Sequence, residues 1–346
     1  MKLTYTAKRR WQRAGILVLI LALTAVLVWF CWVIWLERYV TYSSDGATLN
    51  FNPADPGAGQ VAKPPSAEET IPIYINEGSD TINTSTALTP ITGYYIDTDT
   101  LIDDLSGARD AVATLPAGTA VMVELKNIWG SFFYTSELPD ATLSTKLDTH
   151  AVDSLITDIT SRNLYAIAVV PAFRDRSYFL ISNSHTSAGL PMSKKGYLWS
   201  DDQKCYWFNP TSAATQIWLA QIAVELKVLG FDEVVFSEFR FPNTNSVKFS
   251  GDRAEAIVQA AAKLVSTCST DSFAVSFLSS DSSFVLPEGR SRLYLENVSA
   301  KNAAAIAATT QVADPAINLV FLATTNDTRF NDYSVIRPIS TMNDGG

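Results

Sequence analysis

The chain has 346 residues, 47% of them hydrophobic, with 26 basic and 35 acidic side chains and a net charge of −9 at pH 7. An acidic balance of this size argues against nucleic acid and anionic lipid as partners, because phosphate binding needs clustered Lys and Arg. Three cysteines exclude a disulfide framework, although a single bridge between Cys205 and Cys268 is open to the chain.

In chain order, residues 1–15 form a basic tail with Lys2, Lys8, Arg9, Arg10 and Arg13 and no acid. The uncharged run from Gly15 to Leu36 follows, and residues 16–36 are long enough to cross a hydrocarbon layer of about 30 Å as a helix. A cleaved signal peptide would have a shorter apolar core ending in small residues, whereas this run ends in Phe30, Trp32, Trp35 and Leu36. The span is therefore expected to stay. The positive-inside tendency leaves the tail cytoplasmic and sends the remainder out, which predicts a single-pass membrane protein with an extracytoplasmic domain. From Tyr39 onward there are 20 basic and 34 acidic residues, a net charge of −14.

Residues 37–90 are rich in Ser, Thr, Asn, Asp, Gly and Pro and bury too little apolar surface to offset the entropy of ordering, so they read as a flexible linker. About 50 such residues have an r.m.s. reach of roughly 40 Å. Residues 91–342 then alternate apolar strands with helical patterns. Strand candidates are residues 93–97, 120–127, 163–173, 232–241, 273–278, 291–298, 317–325 and 333–339. Helical spacing recurs at Val152, Leu155, Ile156 and Ile159, at Leu219, Ile222, Ala223 and Leu226, and at Ile257, Ala260, Ala261 and Leu264. The fold class is α/β, and eight repeats over about 250 residues predict a (β/α)8 TIM-type barrel. An open doubly wound sheet is the alternative, weakened by the lack of a glycine-rich loop after the first strand. Connections after residue 298 are short for full βα units.

Barrel chemistry sits at the C-terminal strand ends. Those places hold Tyr95 and Asp97, then Glu124, Lys126 and Asn127, then Arg174 and Asp175, then Glu238 and Arg240, and finally Glu296 and Asn297. Each charge has a bland reading as half of a salt bridge, such as Glu124 with Lys126 or Glu238 with Arg240. Convergence of acids on one end favours the chemical reading, since two facing carboxylates are the minimum for glycoside hydrolysis. Glu124, Glu238 and Asp175 are the candidate catalytic acids. Tyr95, Asp97, Lys126, Arg174, Arg240 and Glu296 are candidate substrate contacts. The long connection 176–211 adds Trp199, Trp207 and Asn209 within GYLWSDDQKCYWFNP, either as sugar platforms or as the private core of a folded loop. His150 and His185 lie near no G-x-S-x-G motif, and metal spacings such as C-x-x-C or H-E-x-x-H are absent, so no cofactor and no metal are expected.

Three segments, AVMVELKNIWG (120–130), NLYAIAVVPAFRDR (163–176) and GFDEVVFSEFRFP (230–242), read together with the aromatic loop before the third. In order and spacing they resemble a glycosidase-like domain family of bacterial (β/α)8 barrels of unknown function, related to α-amylase-type glycoside hydrolases. The similarity covers about residues 92–340 and implies a barrel with carbohydrate as its substrate class. In the family pattern the second strand carries an acid at Glu124 and a lysine at Lys126, while its later acids fall on Asn127 and Ile128. The fourth-strand acid falls on Ser237, next to Glu238, and one residue along a regular strand reverses a side chain's direction unless a bulge restores it. The resemblance thus implies one of two proteins: a membrane-anchored glycoside hydrolase acting on cell-wall or surface polysaccharide, or an inactive carbohydrate-binding or scaffold barrel.

Overall fold

The computed structural model describes residues 87–181, 188–192 and 197–344, together with the backbone of a hairpin in which Val40–Ser43 pairs antiparallel with Gly46–Leu49. The tail, the candidate span 16–36, most of the 37–90 linker and His185 lie outside the described residues. Among the described residues no helix is long and apolar enough to cross a membrane. The chain divides into two units, Met1–Ile75 and Asn76–Gly346. The hairpin departs from the expectation of a wholly irregular linker. Both of its strands contain β-branched residues, Val40, Thr41 and Thr48, which favour extended backbone.

In the second unit eight parallel strands close a barrel: β1 (Thr92–Ile96), β2 (Ala120–Glu124), β3 (Tyr165–Pro171), β4 (Glu233–Ser237), β5 (Ala274–Ser279), β6 (Leu293–Leu295), β7 (Leu319–Leu322) and β8 (Ser334–Pro338). Each is hydrogen-bonded to the next in sequence, and β8 returns to β1 through Ile336 opposite Gly93. All eight predicted strands are the barrel strands. Gly93 is required where it stands, because a Cβ there would fall 1.8 Å from the Ala120 carbonyl oxygen on β2.

Alternation along the strands separates two cores. Ala120, Met122, Ile167, Val169, Val235, Tyr294, Val320 and Ile336 fill the barrel interior. Val121, Val123, Ala166, Ala168, Val234, Phe236, Val275 and Phe277 face outward into the helix layer. That layer consists of α1 (Leu105–Thr114), α2 (Thr149–Thr160), α3 (Ala213–Val228) and α4 (Arg253–Cys268), and the apolar residues read from the helical spacing are the ones they bury. The second half of the barrel is helix-poor. No helix joins β5 to β6, a seven-residue α5 (Ala303–Thr309) follows β6, and a single 3-10 turn (Thr328–Phe330) joins β7 to β8. The β7–β8 connection, residues 323–333, is too short for a full crossover helix, as the spacing after residue 298 indicates.

The N-terminal end of the barrel is closed by charge rather than by apolar side chains. Arg292 pairs with Glu233, and both are at most 1% exposed. The guanidinium also donates to the Tyr165 hydroxyl (3.0 Å) and to the carbonyls of Thr89 (2.8 Å) and Ile317 (3.1 Å). Tyr165 in turn donates to Glu233 at 2.9 Å.

Candidate active site at the barrel mouth

Inward alternation brings Tyr95, Glu124 and Ser237 to the C-terminal mouth as the last inward positions of β1, β2 and β4. Glu124 is held by β1 and the residues just after it. Its Oε2 accepts from the Thr98 hydroxyl (2.7 Å), the Thr98 N–H (3.0 Å) and the Tyr95 hydroxyl (3.4 Å). Asp97 is the N-cap of the short helix Thr98–Asp103, accepting from the Thr100 N–H at 2.8 Å.

Glu238 follows inward-facing Ser237 and on a continuing strand would point into the helix layer. It adopts a left-handed backbone conformation instead, with φ +49°. Such a conformation costs a non-glycine residue on the order of 1–3 kcal/mol, and here it turns the carboxylate toward the mouth. There Arg174 meets one oxygen at 2.9 Å and Arg240 the other at 2.7 Å. Arg174 is itself held by Asp201 at 2.7 Å, a residue that the sequence reading did not single out. Asp201 also accepts from the Trp207 indole (3.2 Å) and from the Gln203 and Cys205 N–H groups (both 3.0 Å). Burial opposes its charge, but the Cys205 N–H, the indole and Arg174 outweigh it and hold the carboxyl below the usual aspartate range. The available signal was local, an Asp followed at i+2 and i+4 by N–H groups in a tight turn.

Glu296, at the end of β6, is half-buried in the same mouth. Burial, and then the neighbouring Glu238 carboxylate, raise its pKa above the ordinary glutamate value against the opposing pull of Arg240. Burial also raises the Tyr95 phenol, helped by the charges of Glu124, Asp97 and Glu296, so Glu296 stands within electrostatic reach of both sides of the mouth. Because its folded pKa is raised, the native state binds the proton more tightly than the unfolded chain does. Its contribution to stability is full at acid pH and declines as pH rises from the ordinary glutamate range through the raised value. Glu296→Gln is therefore expected to be more stable relative to the parent at neutral pH than at pH 4. Urea midpoints across that range check it, and a constant difference would refute it.

Five of the predicted site residues have partners within the protein. Lys126 pairs with Asp175 rather than with Glu124, and both are 1% exposed, so neither opens onto the mouth. The pair ties the connection after β2 to the connection after β3. Trp207 is 3% exposed and lies under the guanidinium groups of Arg240 (4.9 Å) and Arg174 (5.7 Å), with Trp199 tilted against it at 6.4 Å. Asn209 spends its side-chain oxygen on the N–H and hydroxyl of Thr211. The private-core reading describes the aromatics of this connection, since Tyr178 stacks on Trp218 at 4.2 Å and Phe179 packs on Phe208 at 4.9 Å. Cys205 and Cys268 are both buried free thiols. Among the described residues no group of His, Cys, Asp and Glu is arranged to hold a metal ion.

Residues 112–276, from α1 into β5, match the family described as "putative glycosyl hydrolase domain". No curated protein matches the chain in sequence. Among solved structures, the galactosidase domain of an α-galactosidase–sucrose kinase is similar at a TM-score of 0.51 and 14% identity, over 78% of this chain and 40% of that one. A GH36 α-galactosidase variant from Geobacillus stearothermophilus gives 0.50 and 12%, over 74% and 39%. A hypothetical protein from Ruminiclostridium thermocellum gives 0.44 and 22%, over 53% and 96%. The chain thus spans about two-fifths of the length of the two galactosidase structures, and at these identities the likeness is one of fold.

Proposed function

From the premise that this chain carries a glycoside-hydrolase-like barrel, we propose that it cleaves a glycosidic bond of a cell-wall or surface polysaccharide with Glu296 and Glu238 as its two working carboxylates. The observation that carries the reading is their pairing in one mouth under opposite environments. Glu296 is half-buried with its pKa raised, whereas Glu238 has a guanidinium on each oxygen. A half-buried acid with a raised pKa, beside a carboxylate held by two guanidinium groups, supplies a proton donor and a charged partner in one mouth. Glu296 gives its proton to the glycosidic oxygen as the bond to the anomeric carbon breaks, Glu238 supports the positive charge that develops at that carbon, and a water molecule then bonds to it, returning a proton to the Glu296 carboxylate. Glu124, presented from β2 with Oε2 fixed and with no hydrogen bond on Oε1 among the described residues, accepts from sugar hydroxyls together with Tyr95 and Asp97. Arg174 and Arg240 orient Glu238, and Asp201 fixes Arg174.

The uncharged run 16–36 supports the placement of this barrel on the outer side of a membrane, where an insoluble or surface-bound glycan is the substrate within reach. The double arginine clamp on Glu238 also favours a second reading, a barrel that holds glycan without cutting it, because both carboxylate oxygens are already engaged by protein donors and less available to a reacting carbon. The deciding experiment incubates the full chain with peptidoglycan and with purified cell-wall polysaccharides and measures bound polymer and released reducing ends in parallel. Product release that disappears in Glu296→Gln supports the hydrolase. Binding without release by the unmodified protein supports the binder, and neither binding nor release defeats both.

A further inference from the structure

A second feature lies three residues beyond Glu124 and belongs to none of the chemistry above. Residues 127–131 form a tight hairpin turn in which Gly130 N–H donates to the Asn127 carbonyl (3.0 Å) and Asn127 N–H donates to the Ser131 carbonyl (3.1 Å). The Asn127 side-chain oxygen accepts from the N–H groups of Trp129 and Ser131, both at 3.0 Å. Gly130 closes the turn at φ +86°, and a Cβ there would strike Asp175 at 2.4 Å and Ser177 at 2.8 Å. The Trp129 carbonyl is pinned by the Ser177 hydroxyl (2.6 Å) and N–H (3.1 Å). The buried Lys126–Asp175 pair lies directly under this turn, with Asp175 also accepting from the Tyr178 N–H at 2.9 Å.

All of this rigidity serves to display one side chain. Trp129 is 43% exposed, although a ring of that size ordinarily finds cover. It borders a hollow of about 250 Å³ whose other walls are Asn127, Ser131, Ser144, Thr145 and Lys146. The Lys146 ammonium stands 6.0 Å from the ring centroid and has no ion-pair partner among the described residues. An exposed indole face bordered by hydroxyls, an amide and an ammonium matches a sugar ring, which is apolar on its C–H faces and polar around its edge.

We propose that this hollow is an accessory sugar-binding subsite, in which one pyranose residue of a glycan lies on Trp129 with its hydroxyls on Asn127, Ser144 and Lys146. For its ligand class the assignment rests on the carbohydrate reading of the barrel. It does not rest on catalysis, because holding a distant residue of the polymer serves a hydrolase and a binder alike.

The test reads Trp129 directly. The full chain is treated with N-bromosuccinimide with and without tetramers of N-acetylglucosamine, glucose and galacturonate, and oxidation of each tryptophan is located by mass spectrometry. At least one tetramer is expected to slow oxidation of Trp129 several-fold, with the same protection in Glu238→Gln and a several-fold higher tetramer concentration needed in Lys146→Gln. Equal oxidation of Trp129 with and without every tetramer overturns the proposal, as does protection that Lys146→Gln leaves unchanged. Protection that persists while no polymer is cut leaves the subsite standing and rejects only the hydrolase.

Discussion

Under the proposed hydrolase reading, Glu296→Gln is expected to reduce product release by about 10²–10⁴-fold, the range that a positioned general acid contributes. The amide cannot give up a proton to the glycosidic oxygen, yet it keeps the size of the side chain and relieves the repulsion from Glu238 that raises the Glu296 pKa. Substrate binding should therefore survive or tighten, and the loss should fall on kcat rather than on KM. The pH profile supplies an independent reading. Activity of the unmodified protein should fall on the alkaline side as Glu296 loses its proton, and the residual activity of Glu296→Gln should lack that limb. A substrate whose leaving group needs no protonation, such as a dinitrophenyl glycoside, should recover much of the rate in Glu296→Gln but not in Glu238→Gln. Equal loss on both substrates in Glu296→Gln would remove Glu296 from the proton-donor role.

Arg292→Met is expected to destabilise the barrel by about 3–5 kcal/mol, the cost of leaving one partner of a buried ion pair without the other. Glu233 is fully buried and would lose its cation, while the Thr89 and Ile317 carbonyls would lose their donor. Urea unfolding, read as a lower midpoint at unchanged slope, measures it. Adding Glu233→Leu to Arg292→Met should restore a large part of the loss, because an apolar pair of similar volume can replace a buried ion pair at little net cost. If the double variant were as unstable as the single one, packing and not the orphaned charge would be the cause. Both substitutions lie at the end of the barrel away from the mouth, so chemistry and stability can be examined separately.

The residues themselves show how unevenly the molecule was legible. The existence of β2, β3 and β4 and the buried faces of α2, α3 and α4 follow from continuous apolar runs and a period of 3.6, which are properties of nearby residues and need no partner to be read. Clustering of Tyr95, Asp97, Glu124, Arg174, Glu238, Arg240 and Glu296 at one end was likewise legible, because a parallel barrel gathers its strand ends whatever their identity. What the pattern left open was who pairs with whom. Lys126 is two residues from Glu124 and yet bonds Asp175, 49 residues away. Glu238 meets Arg174 across 64 residues as well as its neighbour Arg240, and Asp201 joined the site only through that arginine.

By itself the sequence determined the strand and helix order, a parallel α/β architecture with a barrel as the expected closure, the end at which polar groups collect, and the uncharged run ahead of the domain. Each of these depends on spacing and composition over a few residues. Only the tertiary structure decided that Glu238 turns inward through a left-handed residue, that Glu296 lies within electrostatic reach of it, that Asp175 is buried in an ion pair and Trp207 beneath the mouth arginines, and that Arg292 and Glu233 close the other end. Burial and charge pairing are set by groups brought together from distant strands, and a side chain's chemistry depends on those neighbours as much as on its own identity.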